Sequence, residues 1–550
     1  MEAKAIGAGG HLAQAGAALI WIPQAFLLAL AVQGIADGAG VQAVTVPALA
    51  FLLLGLLRAS LEAWGARRVF ADARRFLGAL RAEAAAMLAR RSPLDRGRPA
   101  SGAAASAMAE QAEAVLPWLV RYQGARWKLA LVPPVIAVVV AIQSWVAALI
   151  LLLAAPLIPV FMAVIGWRAK AASEQQLQVM GGMNGFLLDR LRGLSTLRAL
   201  GAVDLSARRL RDTAQALRTS TMRVLRIAFL SSTALELFAA LAVALVAVYV
   251  GFHLLGDFPG GAWGSRLGLG EALFILLLAP AFFEPLRELA AAWHDKAAGE
   301  AALATLDRLR EPGMRMPGAL ADGGADAQAQ RPVRIEIEAL RFAHDGEAPL
   351  FEDLALSIAP GEHVALVGPS GSGKSTLLAL MAGLAAPSGG SVRIDGMPLD
   401  EEHAATLRAR IAWIGQAPHL FPGTVRGNVA LGRPGVDGAA AAAALRRSGL
   451  GRVRHAVPDA RLGEGGAGLS GGELVRLALA RAVAAHGTGL LLADEPTAHL
   501  DRASASCVID SLLALSHGRT LVVATHDPVL AARIGRVVHV GRRDAALEAA

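Results

Sequence analysis

The first half of the chain alternates between long apolar runs and polar, Arg-rich segments. A helix of about 20 apolar residues spans about 30 Å, the thickness of a bilayer's hydrocarbon core. Six runs have about that length, at residues 15–36, 43–64, 128–147, 149–167, 228–252 and 268–290. The third and fourth are joined by residues 142–145, which leaves room only for a tight hairpin. The pattern predicts six transmembrane helices.

The polar connections predict the orientation of these helices. Residues 66–128 and 168–226 carry most of the arginines of this half, whereas the other connections hold almost no Lys or Arg beyond Arg266. By the positive-inside rule the two basic segments are cytoplasmic, and both termini are then cytoplasmic too. Apolar residues recur at helical spacing within the basic segments, so we expect helices that extend well beyond the membrane.

Composition agrees with a membrane protein that carries a soluble part. Hydrophobic residues make up 55% of the chain and charged residues 18%, too apolar a balance for an ordinary soluble protein. The net charge of +8 is explained by arginines at a membrane surface and does not indicate nucleic-acid binding. Cys507 is the only cysteine, which excludes an intrachain disulfide and a cysteine metal cluster. We interpret the first apolar run as a retained helix and not as a cleaved signal.

The second half has a different pattern. Residues 311–332 are rich in Pro, Gly, Ala and Asp, a composition typical of a linker. After them, short strand-like runs alternate with helical runs, which is typical of an α/β domain. We therefore expect a multidomain chain: an all-α six-helix transmembrane domain at 1–312, a linker at 313–332 and an α/β P-loop ATP-binding domain at 333–550.

A phosphate-binding loop carries the first chemical signal. Residues 368–375, GPSGSGKS, fit G-x-x-x-x-G-K-[ST], follow the apolar strand HVALV and precede a helical run, which is the context that this motif requires. Backbone N–H groups of such a loop surround phosphate oxygens, Lys374 is expected to neutralise the β- and γ-phosphates, and Ser375 to coordinate Mg²⁺. The predicted nucleotide-binding residues in this loop are Gly368, Pro369, Ser370, Gly371, Ser372, Gly373, Lys374, Ser375 and Thr376.

Two adjacent carboxylates end the apolar run LLLAD. Asp494 and Glu495 would repel each other and be costly to desolvate without a cation. A Mg²⁺-nucleotide supplies that cation. We expect Asp494 to hold Mg²⁺, directly or through water, and Glu495 to act as general base on the attacking water.

Further motifs resemble those of the ABC-transporter ATPases, in the same order along residues 333–540. The segment LSGGE resembles their signature motif, which contacts the ATP of a partner subunit; it comprises Leu469, Ser470, Gly471, Gly472 and Glu473. Gln416 resembles the Q-loop residue, which contacts Mg²⁺. Asp501 resembles the D-loop residue and His526 the switch histidine, which contacts the γ-phosphate. The resemblance therefore implies ATP and Mg²⁺ as cofactors and Glu495, His526 and Lys374 as the catalytic set.

One position departs from the family pattern. The aromatic residue that stacks on adenine is commonly Tyr in F-x-Y, and here Phe342-Ala343-His344 places His344 at that position. An imidazole can stack, but over a smaller area. His344 is therefore either the adenine contact or an exposed loop histidine.

Six helices followed by one ATPase domain resemble the exporter-type half-transporters, which must dimerise. Residues 228–252 and 273–302 resemble the fifth and sixth helices of the CydDC family of thiol-reductant exporters. That resemblance implies a heterodimer with a CydC-like half-transporter in the bacterial inner membrane. It also implies export of cysteine and glutathione to the periplasm or exterior, in support of cytochrome bd assembly. Coupling helices are expected at about Ala85 and about Leu191, and a segment that touches them at 463–466.

The substrate class is less constrained by the residues themselves. Glu236 lies within the fifth apolar run, where a charge is costly and is expected to face the bundle interior or a wet cavity. It would meet either the substrate's amino group, a partner-subunit cation, or a neighbouring helix in a purely structural bond. Three other functions remain open: a homodimeric lipid or drug exporter, a haem-handling transporter, and a regulatory ABC protein that binds ATP without hydrolysing it.

Overall fold

The computed structural model describes residues 7–157, 193–258, 260–263, 266–319, 331–433, 435–463, 468–484 and 487–541, with isolated positions at 160, 175, 179, 183, 186–187, 190 and 321. The chain divides into two compact units. The first comprises Met1–Arg81 and Gly102–Asp307, and the second comprises Ala82–Ser101 and Arg308–Ala550. A segment near residue 90 therefore groups with the second half of the chain, which the predicted domain boundaries did not anticipate.

The first unit is helical. Its described helices are α1 (Ala8–Leu19), α2 (Trp21–Ala36), α3 (Gln42–Arg90), α4 (Ser101–Ala109), α5 (Val115–Pro117), α6 (Gln123–Gln143), α7 (Trp145–Ala154), α8 (Leu194–Ala199), α9 (Val203–Leu255), α10 (Leu269–Ala291) and α11 (Trp293–Arg310). The last residues of α3 and of α11 belong to the second unit. A 3₁₀ turn at Gln111–Ala114 and a π-helical turn at Trp118–Tyr122 connect α4, α5 and α6.

Among the described residues, five helical stretches are long and apolar enough to cross a membrane. They are Ala8–Ala36, Val44–Arg90, Ser101–Gln143, Glu236–Leu255 and Leu269–Arg310. Each overlaps one of the six predicted spans. The fourth predicted span overlaps the shorter apolar helix α7 and continues outside the described residues. The predicted hairpin is present, because α6 ends at Gln143 and Ser144 caps α7 by accepting a hydrogen bond from the Ala147 N–H.

Of the helices that the structure describes, α3 and α9 extend well beyond the thickness of a bilayer. Helix α3 has 49 residues and α9 has 53, or about 75–80 Å at 1.5 Å per residue. This confirms helical structure in the first polar connection and in the described part of the second. The coupling position expected near Ala85 lies within α3. The other, near Leu191, and most of the segment 463–466 lie outside the described residues.

Small residues allow the membrane helices to pack closely. The apolar core of this unit joins Ala and Val positions to larger side chains of α10, among them Phe282 and Phe283, whose rings meet edge to face at 5.0 Å. Between α1 and α3 the contact is closer still. A Cβ on Gly65 would lie 2.8 Å from the Gly10 carbonyl oxygen, an approach that only glycine permits.

The described residues of the second unit form an α/β fold with two main sheets. One has the order β2-β1-β4-β5, formed by β1 (Ile335–Phe342), β2 (Phe351–Ile358), β4 (Gly389–Ile394) and β5 (Met397–Pro398) in antiparallel pairs. The other has the order β11-β3-β10-β9-β6 and is parallel. Its strands are β3 (His363–Val367), β6 (Ile411–Ile414), β9 (Leu490–Asp494), β10 (Thr520–Ala524) and β11 (Arg536–His539). A small ribbon pairs β7 (Gly423–Thr424) with β8 (Arg461–Leu462).

In the described part of the second unit, seven helices accompany these sheets. They are α12 (Lys374–Met381), α13 (Ala404–Ala409), α14 (Val425–Ala430), α15 (Gly438–Arg447), α16 (Gly471–Ala484), α17 (Arg502–Ser516) and α18 (Pro528–Ala532). Strands β9 and β10 are buried along their whole length. They read as continuous apolar runs because a parallel sheet is covered on both faces. The expected fold, a transmembrane helical domain followed by an α/β ATPase domain, is confirmed.

Candidate functional site

The parallel sheet brings the predicted site residues to one edge. The carboxyl ends of β3, β9, β10 and β6 carry, respectively, the phosphate loop, the acidic pair, His526 and Gln416. Carboxyl ends of parallel strands lie on the same side of a sheet, and ligands of open α/β folds bind there. Segments that are up to about 150 residues apart in sequence are therefore neighbours at this edge.

The phosphate loop is shaped by two glycines with left-handed backbone. Gly371 has φ +80° and Gly373 has φ +95°, a region that side chains with a Cβ rarely adopt. Helix α12 begins directly afterwards at Lys374, so its free N–H groups point into the loop. The Lys374 side chain is only 7% exposed, and its ammonium donates to the carbonyl oxygens of Gly368 and Pro369, each at 2.9 Å. The lysine is thus held inside the loop, where phosphate oxygens would bind.

The loop contacts the first carboxylate of the acidic pair. The Ser375 hydroxyl donates to Asp494 Oδ1 at 2.9 Å. Burial is the main cause of a raised pKa for Asp494, and the neighbouring Glu495 carboxylate raises it further. The Ser375 hydrogen bond and the Lys374 charge act in the opposite direction and lower the pKa. A hydroxyl and a carboxylate oxygen at this distance are the donors that Mg²⁺ prefers. A divalent cation would also remove the penalty that raises the Asp494 pKa, so the residues fit the metal.

The second carboxylate is held in an unusual backbone conformation and faces His526. Glu495 has φ +47°, which costs about 1–2 kcal/mol for a residue with a side chain. Its N–H donates to the Ala524 carbonyl at 2.9 Å, which fixes the turn after β9 against β10. Glu495 Oε2 lies 2.7 Å from His526 Nδ1 and accepts the His526 backbone N–H at 3.3 Å. The expected base and the expected switch histidine are therefore in direct contact.

Two further predicted residues lie beside this centre. Gln416 is exposed and follows β6, whose neighbour in the sheet is β9. His344 follows β1, and its ring meets Phe342 edge to face at 5.2 Å. Phe342 pairs across the sheet with Phe351, and a Cβ on Gly373 would lie 2.7 Å from the Phe351 ring. The segment that carries His344 therefore borders the phosphate loop, as a contact to adenine requires.

The signature residues form a helix start at a separate position. Ser470 N–H donates to Glu473 Oε2 at 2.8 Å, and Glu473 N–H donates to Ser470 Oγ at 3.4 Å, a reciprocal capping box at the start of α16. Asp501 caps α17 through the Ser504 N–H at 3.0 Å, and this backbone hydrogen bond lowers the Asp501 pKa. In the described part of the chain, no hydrogen bond or ion pair joins these residues to Lys374 or Ser375. Their predicted role toward a partner's ATP stays a prediction.

Asp527 is a further residue at this centre that was not predicted from the sequence. Its Oδ2 accepts the Thr497 hydroxyl at 2.9 Å, which ties the turn after Glu495 to the turn that carries His526. Asp527 also caps α18 by accepting the Val529 N–H at 2.9 Å. An Asp directly before Pro528 is a recognisable helix-start signal, so the cap could have been predicted, whereas the contact to Thr497 could not.

Glu236 is not enclosed within the protomer. It stands in α9 with its side chain 65% exposed, and its Oε1 lies 3.5 Å from Arg287 Nη2 of α10. Arg287 also lies 3.8 Å from Glu284, a pair that three-residue helical spacing predicts. The contact present is thus the helix–helix bond, one of the interpretations of Glu236 that the sequence left open.

Comparison with known proteins identifies the family. Residues 351–498 match the ABC transporter model and residues 11–286 the ABC transporter transmembrane region. The Escherichia coli K12 "Glutathione/L-cysteine transport system ATP-binding/permease protein CydD" is 36% identical over 458 residues, or 81% of this chain and 77% of that protein. The Providencia stuartii "Transport ATP-binding protein AarD" is 36% identical over 435 residues, or 78% and 73%.

Two further comparisons extend over nearly the whole chain. The Bacillus subtilis protein named CydC of the glutathione/L-cysteine transport system is 29% identical over 545 residues, which is 96% of this chain and 92% of that protein. A bacterial Atm1-family ABC exporter with ATP bound matches the fold with a TM-score of 0.71 at 23% identity, over 96% of this chain and 92% of that one. The chain belongs to the ABC transporter family: it is an ATP-hydrolysing half-transporter of the exporter type, similar to CydD.

Proposed function

We propose that this chain is one subunit of a heterodimeric exporter that moves cysteine- and glutathione-type thiols out of the cytoplasm. The observation that carries the proposal is the similarity to chains named for glutathione and L-cysteine transport, joined to a complete set of ATPase residues at one sheet edge. The expected partner is a CydC-like half-transporter. The basic segments that contain the C-terminal part of α3 and the N-terminal part of α9 face the cytoplasm, as do both termini.

The residues of the site divide the work of ATP hydrolysis. The phosphate loop and the α12 N-terminus bind the phosphates, Lys374 neutralises their charge, and His344 stacks on the base. Ser375, Asp494 and Gln416 would hold Mg²⁺, which would supply neutralisation of phosphate charge when bound. Glu495 accepts the proton of the attacking water, and His526, at 2.7 Å from it, orients that carboxylate and contacts the γ-phosphate. The signature residues and Asp501 complete the partner's site.

The domain assignment is part of this proposal. Residues 1–312 form the transmembrane part and 333–550 the ATPase, with 313–332 between them. Mg-ATP binding closes the paired ATPase domains and hydrolysis reopens them, which moves the helical domains between inward- and outward-facing states. Export of reductant thiols would then support cytochrome bd assembly, and a strain that lacks the chain should lose cytochrome bd absorbance.

The decisive experiment is reconstitution with the CydC-like partner in lipid vesicles. ATPase activity is measured with cysteine, glutathione, haem and a panel of lipids and drugs, beside the chain purified alone. We expect the thiols to stimulate hydrolysis by the pair. Stimulation of a homodimer by lipids or drugs would favour the second exporter hypothesis, stimulation by haem alone would favour haem handling, and no hydrolysis by any assembly would leave a regulatory protein.

A further inference from the structure

The first part of the predicted linker is not a free connection but a paired segment. The Ser92 N–H donates to the Met314 carbonyl at 2.8 Å, and the Met316 N–H donates to the Arg90 carbonyl at 2.8 Å. Arg91 and Arg315 thereby form an antiparallel bridge. We call residues 90–95 together with 311–318 the strap. One segment of the strap begins at the last residue of α3 and the other directly follows α11, and both helices begin in the first unit.

The strap is fixed on both sides. The guanidinium of Arg91 is buried, with 8% of its side chain exposed, and donates to the Glu311 carbonyl. Leu94 and Met314 pack against the apolar core that contains β1, β3 and β4. Where the helices end, Arg310 of α11 forms an ion pair with Glu83 of α3 at 2.6 Å. Because these contacts join the two segments, a movement of either helix end would move both segments of the strap together.

Arg408 holds the strap to the ATPase fold. Its Nη1 donates to the Pro317 carbonyl at 2.6 Å and to the Gly383 carbonyl at 3.0 Å, and its Nη2 donates to the Gly318 carbonyl at 2.7 Å. Gly318 has φ +58°. A guanidinium offers several donors in a fixed plane, so one Arg can join three carbonyls that a lysine ammonium could not align.

The Gly383 carbonyl and the Arg408 backbone belong to elements that lead to the ATP site. Arg408 lies in α13, which continues into β6 and then to Gln416. Gly383 follows α12, which begins at Lys374. The Arg410 carbonyl accepts the N–H groups of Gly489 and Leu490, at the start of the strand that ends in Asp494. α12 and the α13–β6 segment each carry a site residue at one end, and Arg408 thus connects the strap to both of these elements at the other end.

We propose that Arg408 is a positioning residue that couples the strap to the Gln416 strand and the phosphate-loop helix. Displacement of α3 and α11 by bound substrate would then change the hydrolysis rate through this one guanidinium. The inference rests on the proposed transport function. It differs from a purely structural role, in which loss of Arg408 lowers stability and leaves the response to substrate intact.

The first test uses the reconstituted pair and three variants. Arg408→Gln removes the three-way contact, and Arg408→Lys keeps the charge without the planar fork. Arg410→Gln is the matched control, because its guanidinium lies two residues away and pairs with Asp395 at 2.9 Å instead of with the strap. The readout is the ratio of thiol-stimulated to basal ATPase rate, which a general loss of folded protein does not change.

We expect this ratio to fall by about fivefold or more in Arg408→Gln, which is within the range of typical coupling between two sites. If the wild-type ratio is itself below about fivefold, it should fall to one, which means no stimulation by thiols. Arg408→Lys should lie between Arg408→Gln and the wild type, and Arg410→Gln should keep the wild-type ratio. A wild-type ratio in Arg408→Gln overturns the proposal, as does an equal loss in Arg410→Gln. If Arg408→Gln does not fold, Arg408→Lys and Gly318→Ala carry the test. In Gly318→Ala the new Cβ would lie 3.0 Å from the Ala405 nitrogen. This substitution disturbs the same contact from the strap while leaving Arg408 in place, and it should lower the ratio too.

A second measurement needs no substrate. Coupling is reciprocal, so ATP binding must alter the strap if the strap alters the ATP site. We expect ATP to change the amide hydrogen exchange of residues 314–318 in the wild-type pair and not in Arg408→Gln. No change in the wild type overturns the inference. Failure of all thiols to stimulate, with the exchange response present, would instead refute the proposed substrate and leave the coupling intact.

Discussion

Gly373→Ala tests how closely the phosphate loop is fitted to its surroundings. Two costs add at this position. The backbone has φ +95°, and an L-residue in the left-handed region costs about 1–2 kcal/mol. The new Cβ would lie 2.7 Å from the Phe351 ring and 3.0 Å from the Leu350 side chain, and such overpacking costs typically ~1–3 kcal/mol more. We expect a total of about 2–5 kcal/mol.

Gly371→Ala is the matched control. Gly371 has φ +80° and nothing lies within 4 Å of its ideal Cβ, so only the backbone cost of about 1–2 kcal/mol applies. Both substitutions add one methyl group to the same loop. They differ in the packing cost alone.

The assay is thermal melting of the nucleotide-free pair, followed by a probe in the ATPase unit. At about 2–4 °C per kcal/mol for domains of this size, Gly371→Ala should lower the melting temperature by a few degrees. Gly373→Ala should lower it further, and Gly373→Ala combined with Phe351→Leu should recover part of the difference. Equal melting temperatures for the two alanine variants would refute the packing argument and leave only the backbone term.

Three further outcomes are expected. Glu495→Gln should lower ATPase activity at this site by about 10²–10⁴-fold, the usual contribution of a general base. The control Asp510→Asn, which removes an exposed carboxylate paired with Arg533, should leave the activity unchanged. Equal ATPase rates in Glu495→Gln and the wild type would refute the base assignment. Folding raises the Asp494 pKa above its ordinary 3.8, so the native state keeps this proton to a higher pH than the unfolded state does. The nucleotide-free unit should therefore lose stability as the pH rises from 3.8 through the raised pKa. Asp494→Asn should make the melting temperature less dependent on pH in that range. Glu236→Gln in vesicles should reduce thiol transport at normal expression if this carboxylate meets substrate; unchanged transport would leave it the structural pair with Arg287.

The local motifs were predictable because their residues are adjacent in sequence. The order strand, glycine loop, Lys374 and helix is a local property of the chain, and so is an acidic pair at the end of an apolar run. The long helices followed equally from apolar length and helical spacing. The resemblance to the ABC family added roles for Gln416, the signature segment and His526.

Other features could not be predicted because they join distant parts of the chain. The Ser375–Asp494 hydrogen bond spans 119 residues and the Glu495–His526 contact 31. Residues 311–318 of the strap were interpreted as linker because Pro, Gly and Ala are typical of unpaired chain, yet their backbone groups form hydrogen bonds with residues 90–92 and with Arg408. The composition of a segment shows which backbone N–H and C=O groups it has, but it does not show which distant residues form hydrogen bonds with them.

The sequence by itself determined the elements of this protein: where apolar length predicts a membrane helix, which strand ends in two carboxylates, and which residues are expected to bind phosphate. Only the tertiary structure decided which of those elements meet. Local patterns depend on neighbours a few residues away, whereas the parallel sheet order, the Glu236–Arg287 pair and the carbonyls bound by Arg408 depend on how distant segments pack. That packing is set by the whole core at once, so no local window of the chain contains it.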